Sequence, residues 1–280
     1  MKTPELEKIS SQVRRDIVRM VHAVQSGHPG GSLGCVEYLV ALFFDKMTHK
    51  REFNMDGENE DLFFLSNGHI SPVLYSVLAR SGYFNIDELK TFRNIDSRLQ
   101  GHPATKEKLP GIRIASGSLG QGLSVAIGAC EAKKLNQDSK LVHCMCGDGE
   151  LQEGQIWEAL MYASAKKIDN LIMTVDLNKQ QICGSTEEIL SLGDLNKKIT
   201  SFGWKLVEIK NGNDMNSVLN GLNSAIELTK KENPVCILLN TEMGYGVDFM
   251  MGSHEWHGIA PNDEQLKLAL EQLDETLGDY

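Results

Sequence analysis

Apolar residues recur along this chain with two different spacings. Intervals of three and four dominate over residues 5–24, 36–46, 72–81, 119–135, 155–166, 215–231 and 263–277, which predicts amphipathic or apolar helices there. Between them lie short runs, DLFFLS, KLVHCMC, NLIMTVD, WKLVEI and PVCILLN, that are almost continuously apolar. Runs of that length suit strands covered on both faces. Their alternation with helices predicts an α/β fold with a mostly parallel sheet and helices on both sides. No repeat, low-complexity tract or Pro/Gly/Ser linker interrupts the pattern, so residues 1–280 are expected to form a single domain. The charged segment 50–61 is expected to be a surface loop.

Composition narrows the class. With 280 residues the chain can bury roughly three-quarters of its unfolded surface in one large core. A formal charge of −10 argues against nonspecific binding to nucleic acid or to an anionic membrane, while a local basic site could still take a small phosphate. The N-terminus has no apolar signal core, and no apolar run approaches the ~20 residues of a membrane span. A cytoplasmic protein is expected. The six cysteines show no CxxC pairing, and several lie within apolar runs, so a reducing compartment is favoured. The start methionine and the acidic amphipathic tail give the expectation of a complete gene product.

In such sheets, ligands bind beyond the carboxyl ends of the strands. The segment CGDGELQEGQIWEALMYASAKKIDNLIMTVDLNKQQICG fits that plan, because one predicted strand delivers Asp148 and the next delivers Asp176 and Asn178. A carboxylate oxygen and an amide oxygen are hard ligands suited to Mg²⁺ or Ca²⁺, with a backbone carbonyl and diphosphate oxygens completing the shell. The glycines beside Asp148 would let the backbone approach a phosphate. Taken alone, Asp-Gly and an Asn after a strand are also ordinary turn chemistry. The spacing across a whole βαβ unit is what favours a site.

GDG followed about thirty residues later by an Asn closing an apolar strand resembles the signature of thiamine-diphosphate enzymes. SGHPGGSLG, LSNGHISPVLYSVL, GHP, GSLGQGLSVAIG, GDGELQEGQIWEA and HEWHGIAPN resemble transketolase, in that family's order and over nearly the whole chain. The resemblance covers the amino-terminal, diphosphate-binding half of a full-length transketolase. It implies that Asp148, Asn178 and the carbonyl of Gln180 hold a divalent cation, Mg²⁺ with Ca²⁺ or Mn²⁺ as substitutes, and that Gly149 approaches the diphosphate. His69 and His257 match positions near the phosphates, and Gly117, Leu119 and Ile182 match positions that pack on the cofactor. His28, His102 and His257 match catalytic or substrate-contacting positions, and Arg93 a sugar-binding one. Glu153 matches a buried carboxylate of the subunit interface. Ser118 stands where many transketolases have Pro, and Cys183 where an Asp is common.

The expected activity is transfer of a two-carbon ketol unit from a ketose to an aldose, with sugar phosphates or sugar sulfonates as substrates. In this family a glutamate from a second domain activates the cofactor, and the half that carries it is not matched here. The implied partner is a carboxyl-terminal transketolase subunit with the pyrimidine-binding domain, in a two-plus-two heterotetramer. Competing readings are a deoxyxylulose-phosphate synthase half, one chain of an oxo-acid dehydrogenase and a noncatalytic assembly homologue. A zinc site at HEWH lacks the HExxH order, Cys144 and Cys146 read as core, and GSLGQG lacks the GxGxxG spacing of a nicotinamide or flavin enzyme.

Overall fold

The computed structural model describes residues 1–280. The apolar runs become strands β1 (Leu62–Leu65), β2 (Val142–Gly147), β3 (Leu171–Leu177), β6 (Lys205–Ile209) and β7 (Val235–Asn240) of one sheet. A two-residue ladder, β4 (Gln180–Gln181) with β5 (Gly184–Ser185), stands apart from it. The sheet order is β1-β2-β3-β7-β6 and every pairing is parallel.

Side chains of a strand alternate between faces, and here each face meets its own layer of helices. Phe63, Leu65, Met145, Ile172, Ile237 and Leu239 join the larger core. That core lies under α1 (Thr3–Ala23), α3 (Val36–Ala41), α4 (Ser71–Arg80) and α9 (Met215–Leu228). Phe64, Val142, Cys144, Cys146, Met173 and Leu238 face the other way, against α5 (Gly122–Leu135), α6 (Gly154–Ala165) and α8 (Leu195–Ser201). Both thiols of HCMC are therefore core, and five of the six cysteines are buried; only Cys183 is exposed.

Several predicted boundaries move for physical reasons. The run 119–135 becomes helical only at Gly122, because Gly120 takes φ 86° and its amide is captured by the Glu150 carboxylate. The run 36–46 ends in a π-turn over Leu42–Lys46. The run 215–231 stops at Leu228, where Thr229 turns extended and its hydroxyl donates to the Ile226 carbonyl at 2.7 Å. The run 263–277 forms α10 (Asp263–Gln272) and stops there. The Leu273 carbonyl accepts from Arg15 Nη1 at 2.7 Å, and the tail lies along α1 with Asp279 gripped by Arg15 and Arg19. Three short helices were not anticipated: α2 (Pro29–Gly34), α7 (Thr186–Leu190) and α8. α2 is rich in Gly and opens on Pro, which suits a first helical position because its missing N–H would have no partner there. The segment 50–61 is mostly exposed as expected, but Glu60 and Asp61 at its end are buried.

Candidate active site

In the β2–β3 register Gly147 pairs with Asp176, so the two strands end level and their following loops lie side by side. Lys179 N–H donates to Asp148 Oδ2 at 2.6 Å and Gly149 N–H to Oδ1 at 2.7 Å, which ties one loop to the other through the carboxylate. Asn178 Nδ2 donates to Asp176 Oδ2 at 2.7 Å, and Asn178 Oδ1 accepts the Gln180 amide at 2.9 Å. These bonds fix the orientation of the amide and leave one lone pair of Oδ1 free. Asp176 also accepts from the Thr241 hydroxyl beyond β7.

Three other segments bring imidazoles to the same place. His28 sits at the N-cap of α2. The glycines of that helix explain its position: a Cβ on Gly30 would lie 2.6 Å from Met243 Cγ and 2.7 Å from the Trp256 carbonyl oxygen. α2 can therefore press against the segment that carries His257. His69 lies on the single turn Gly68–Ile70 after β1. His102 belongs to a loop held to α4 by Ser71 Oγ on the Gly101 carbonyl at 2.8 Å and Tyr75 Oη on the Gln100 carbonyl at 2.7 Å. Ring centroids of His28 lie 5.2 Å from His69, 5.5 Å from His257 and 6.1 Å from His102, and His69 stacks on His257 at 5.0 Å.

Together these groups line a cleft of about 580 Å³ beyond the carboxyl ends of the strands. Of the residues singled out in the sequence, His28, His69, His102, Gly117, Leu119, Asp148, Gly149, Asn178, Gln180, Ile182 and His257 all line it. Arg93 does not; its guanidinium lies over Gly101 and donates to Ser26 Oγ at 2.9 Å, just behind His102. Cys183 and Glu153 also line the cleft, and Glu153 is exposed in this chain. His254 is exposed outside it, and no group of three or more His, Cys, Asp or Glu side chains is arranged to hold a metal. Asn67, Glu150, Gln152 and Gln181 line the cleft without having been anticipated. Asn67 could have been noticed, since it follows a strand run in the same SNGH stretch as His69.

Electrostatically the cleft has two characters. Burial lowers all four imidazoles, His28 to about 4 with further lowering from His257, Arg93 and His102. At neutral pH each is uncharged, with one N–H to donate and one nitrogen to accept. The carboxyls move the other way. Burial, then the neighbouring Asp176, raises Asp148 to about 7 against the pull of its two backbone donors, and burial raises Asp176. The hydrogen-bond partners of both are neutral: backbone amides, the Thr241 hydroxyl and the Asn178 amide. A buried acidic pair without a counter-ion fits a bound cation, and its donors are hard oxygens rather than the thiolate and imidazole sets of softer metals.

Two further observations fit an anionic cofactor. Gly147 and Gly149 have ordinary backbone conformations, and a Cβ on either would meet protein atoms no closer than 3.5 Å. Neither packing nor dihedral explains these glycines, whereas close approach of a ligand does. His28 Nδ1 is buried in the wall without a hydrogen-bond partner and, in its N–H tautomer, can donate to an anionic oxygen; Asn67 Oδ1, also unpartnered, only accepts and calls for a donor instead.

Residues 6–276 match the family described as "Transketolase, thiamine diphosphate binding domain". This chain belongs to the transketolase family. It is 38% identical over 270 residues to an apulose-4-phosphate transketolase subunit of Actinobacillus succinogenes, covering 96% of each chain. It is 35% identical to a 6-deoxy-6-sulfo-D-fructose transketolase subunit of a Clostridium species, again over 96% of each. Against human transketolase the identity is 33% over 92% of this chain, but the chain spans only 40% of that protein. Among solved structures, transketolase from Campylobacter jejuni superposes with a TM-score of 0.89 at 32% identity, over 98% of this chain and 43% of the other. This chain is thus similar over its whole length to proteins named as transketolase subunits, and it spans less than half of the longer transketolases that it matches.

Proposed function

We propose that this chain is the diphosphate-binding subunit of a split transketolase that moves a two-carbon ketol unit from a ketose phosphate or sulfonate to an aldose. The observation that carries the reading is the convergence of Asp148, Asn178 and four imidazoles on one cleft at the carboxyl end of a parallel sheet. Asp148, Asn178 Oδ1 and the Gln180 carbonyl would hold a divalent cation, with Mg²⁺ the first choice and Ca²⁺ or Mn²⁺ as substitutes. His69 and His257 would donate to diphosphate oxygens above Gly149, and Gly117, Leu119 and Ile182 would bound the rings. Bound thiamine diphosphate would supply the carbanion chemistry at its thiazolium carbon.

The residues of the chain handle protons and position. A neutral imidazole beside the reacting carbon can donate to an oxygen gaining charge and take the proton back as the charge collapses. His28, His102 and His257 are the candidates, because they stand together and burial keeps them unprotonated. Arg93, behind His102, would reach the hydroxyls or the anionic end of the sugar once a substrate enters. The glutamate that activates the cofactor would come from a second chain carrying the pyrimidine-binding domain, and the relatives of matching length, themselves named as subunits, support such a partner. A two-plus-two heterotetramer gives each diphosphate site one pyrimidine domain. No helix is long and apolar enough to cross a membrane, and sugar-phosphate chemistry suits a cytoplasmic enzyme.

The test is deuterium exchange at the cofactor C2 position, followed by NMR, with ketol transfer measured in parallel. The purified chain with thiamine diphosphate and Mg²⁺ should do neither, and adding the partner chain should restore both. Full activity from the chain alone would sink the two-chain reading.

A further inference from the structure

Glu150 follows Asp148 by two residues and is buried in the wall of the cleft, and its hydrogen-bond partners are all neutral. Its contacts run to three separate segments. Oε1 accepts the Gly120 amide at 2.7 Å and the Ser66 hydroxyl, and Oε2 accepts the Gly147 amide at 3.0 Å. Ser66 Oγ accepts the Gly122 amide at 3.0 Å in its turn. One carboxylate therefore joins the turn after β1, the loop carrying Gly117 and Leu119, and the end of β2 from which Asp148 emerges.

We propose that Glu150 is a positioning residue that holds the Gly117–Leu119 loop in register with the Asp148 loop, so that both meet the cofactor together. This rests on the reading of the cleft as a thiamine diphosphate site. The chemistry is specific to a carboxylate. It must accept from two amides and a hydroxyl at once, and no apolar side chain can do so. Glutamine keeps the shape but has one accepting oxygen, so its NH₂ must face the amide of Gly120 or of Gly147, and one loop comes free. Aspartate is one methylene too short to reach both loops.

The experiment uses the complex assembled with its partner chain, with thiamine diphosphate and Mg²⁺ as probes. Glu150→Gln should raise the half-saturating thiamine diphosphate concentration on the order of 10-fold, the scale seen when a side chain that orients ligand-binding groups is lost. Turnover at saturating cofactor should stay within about threefold of wild type, because the reacting groups are untouched. Hydrogen exchange at the Gly120 or Gly147 amide should speed up in the same variant. A merely structural Glu150 would lower the melting temperature and the active fraction without moving the half-saturation point, and that result would overturn the proposal. Should Glu150→Gln fail to fold, Glu150→Asp decides: it keeps the charge but is too short to reach both amides, and an unchanged half-saturation there overturns the proposal equally. Wild-type complex that binds no thiamine diphosphate would overturn the cofactor reading as well. Normal wild-type binding with an unmoved variant would overturn this proposal alone.

Discussion

The two walls of the cleft are built in opposite ways. On the carboxylate wall Asp148, Asp176, Asn178 and Glu150 are tied down by backbone amides, a threonine and a serine hydroxyl and one another before any ligand arrives. On the histidine wall the rings meet edge to face or stacked, and His28 Nδ1 has no partner at all. The first wall is fixed in advance, as the proposed cation site requires. The second keeps neutral donors and acceptors unspent, as groups meant for a substrate must be.

Breaking the carboxylate wall should have the largest effect. Asp148→Ala removes the carboxylate that joins the two loops and the proposed anionic cation ligand. Thiamine diphosphate binding to the complex should become undetectable by calorimetry, with activity down by about 10³-fold or more, since both metal ligation and loop registry are lost. Equal affinity with and without a chelator in the wild type would refute the cation assignment.

On the histidine wall the loss should fall on turnover instead. His102→Ala is expected to lower kcat by about 10²-fold, the usual scale for a general acid or base, while cofactor affinity moves by less than about threefold. Steady-state kinetics with separate cofactor titrations would check it. A drop in affinity with kcat preserved would move His102 to the cofactor-binding set.

The smallest effect concerns the stability of the cofactor-free, metal-free chain, where the walls tilt the pH profile in opposite directions. His28 falls from an ordinary 6.5 to about 4, so the unfolded chain takes up the proton first. Its contribution is intact above about pH 6.5 and is lost as pH falls toward 4. Asp148 rises from 3.8 to about 7, so its contribution is intact below 3.8 and is lost as pH rises through 7. The two slopes oppose each other in one window. Asp148→Asn should therefore steepen the loss of thermal stability on acidification, and His28→Asn should flatten it, by a few degrees of melting temperature between pH 6.5 and 4. Parallel profiles for both variants would deny the contrast. Mg²⁺ added to the wild type should raise the melting temperature most at the alkaline end.

Much of the fold was legible because it follows from one-dimensional rules. Strand runs buried on both faces lose their polar alternation, so DLFFLS and PVCILLN declared the sheet without any partner in view. Helix ends were read less well. Gln272 ends α10 because Arg15 and Arg19, some 250 residues away along the chain, pull the tail onto α1. α2 was missed because its glycines weaken helical propensity, and only their contact with Met243 and Trp256 makes them necessary.

The site divides in the same manner. Asp148 and Asn178 could be paired from sequence, since a βαβ unit brings successive strand ends together and the parallel register sets them level. His28, His69 and His102 could be named from their Gly-His contexts and His257 from HEWHGIAPN, but that four rings meet within about 6 Å depends on α2 packing against the His257 segment and on α4 holding the His102 loop. Glu150 gave no local signal beyond a place in a turn. Its role exists because the carboxylate that takes the nearby Gly147 amide also takes an amide 30 residues before it and a hydroxyl farther still. By itself the sequence determined strand and helix identity, sheet class and the chemical types available at the strand ends, because these depend on periodicity and on neighbours along the chain. Tertiary structure alone decided which wall would be tied down and which left unspent, because hydrogen-bond satisfaction, burial and the pKa shifts they cause belong to contacts between distant segments.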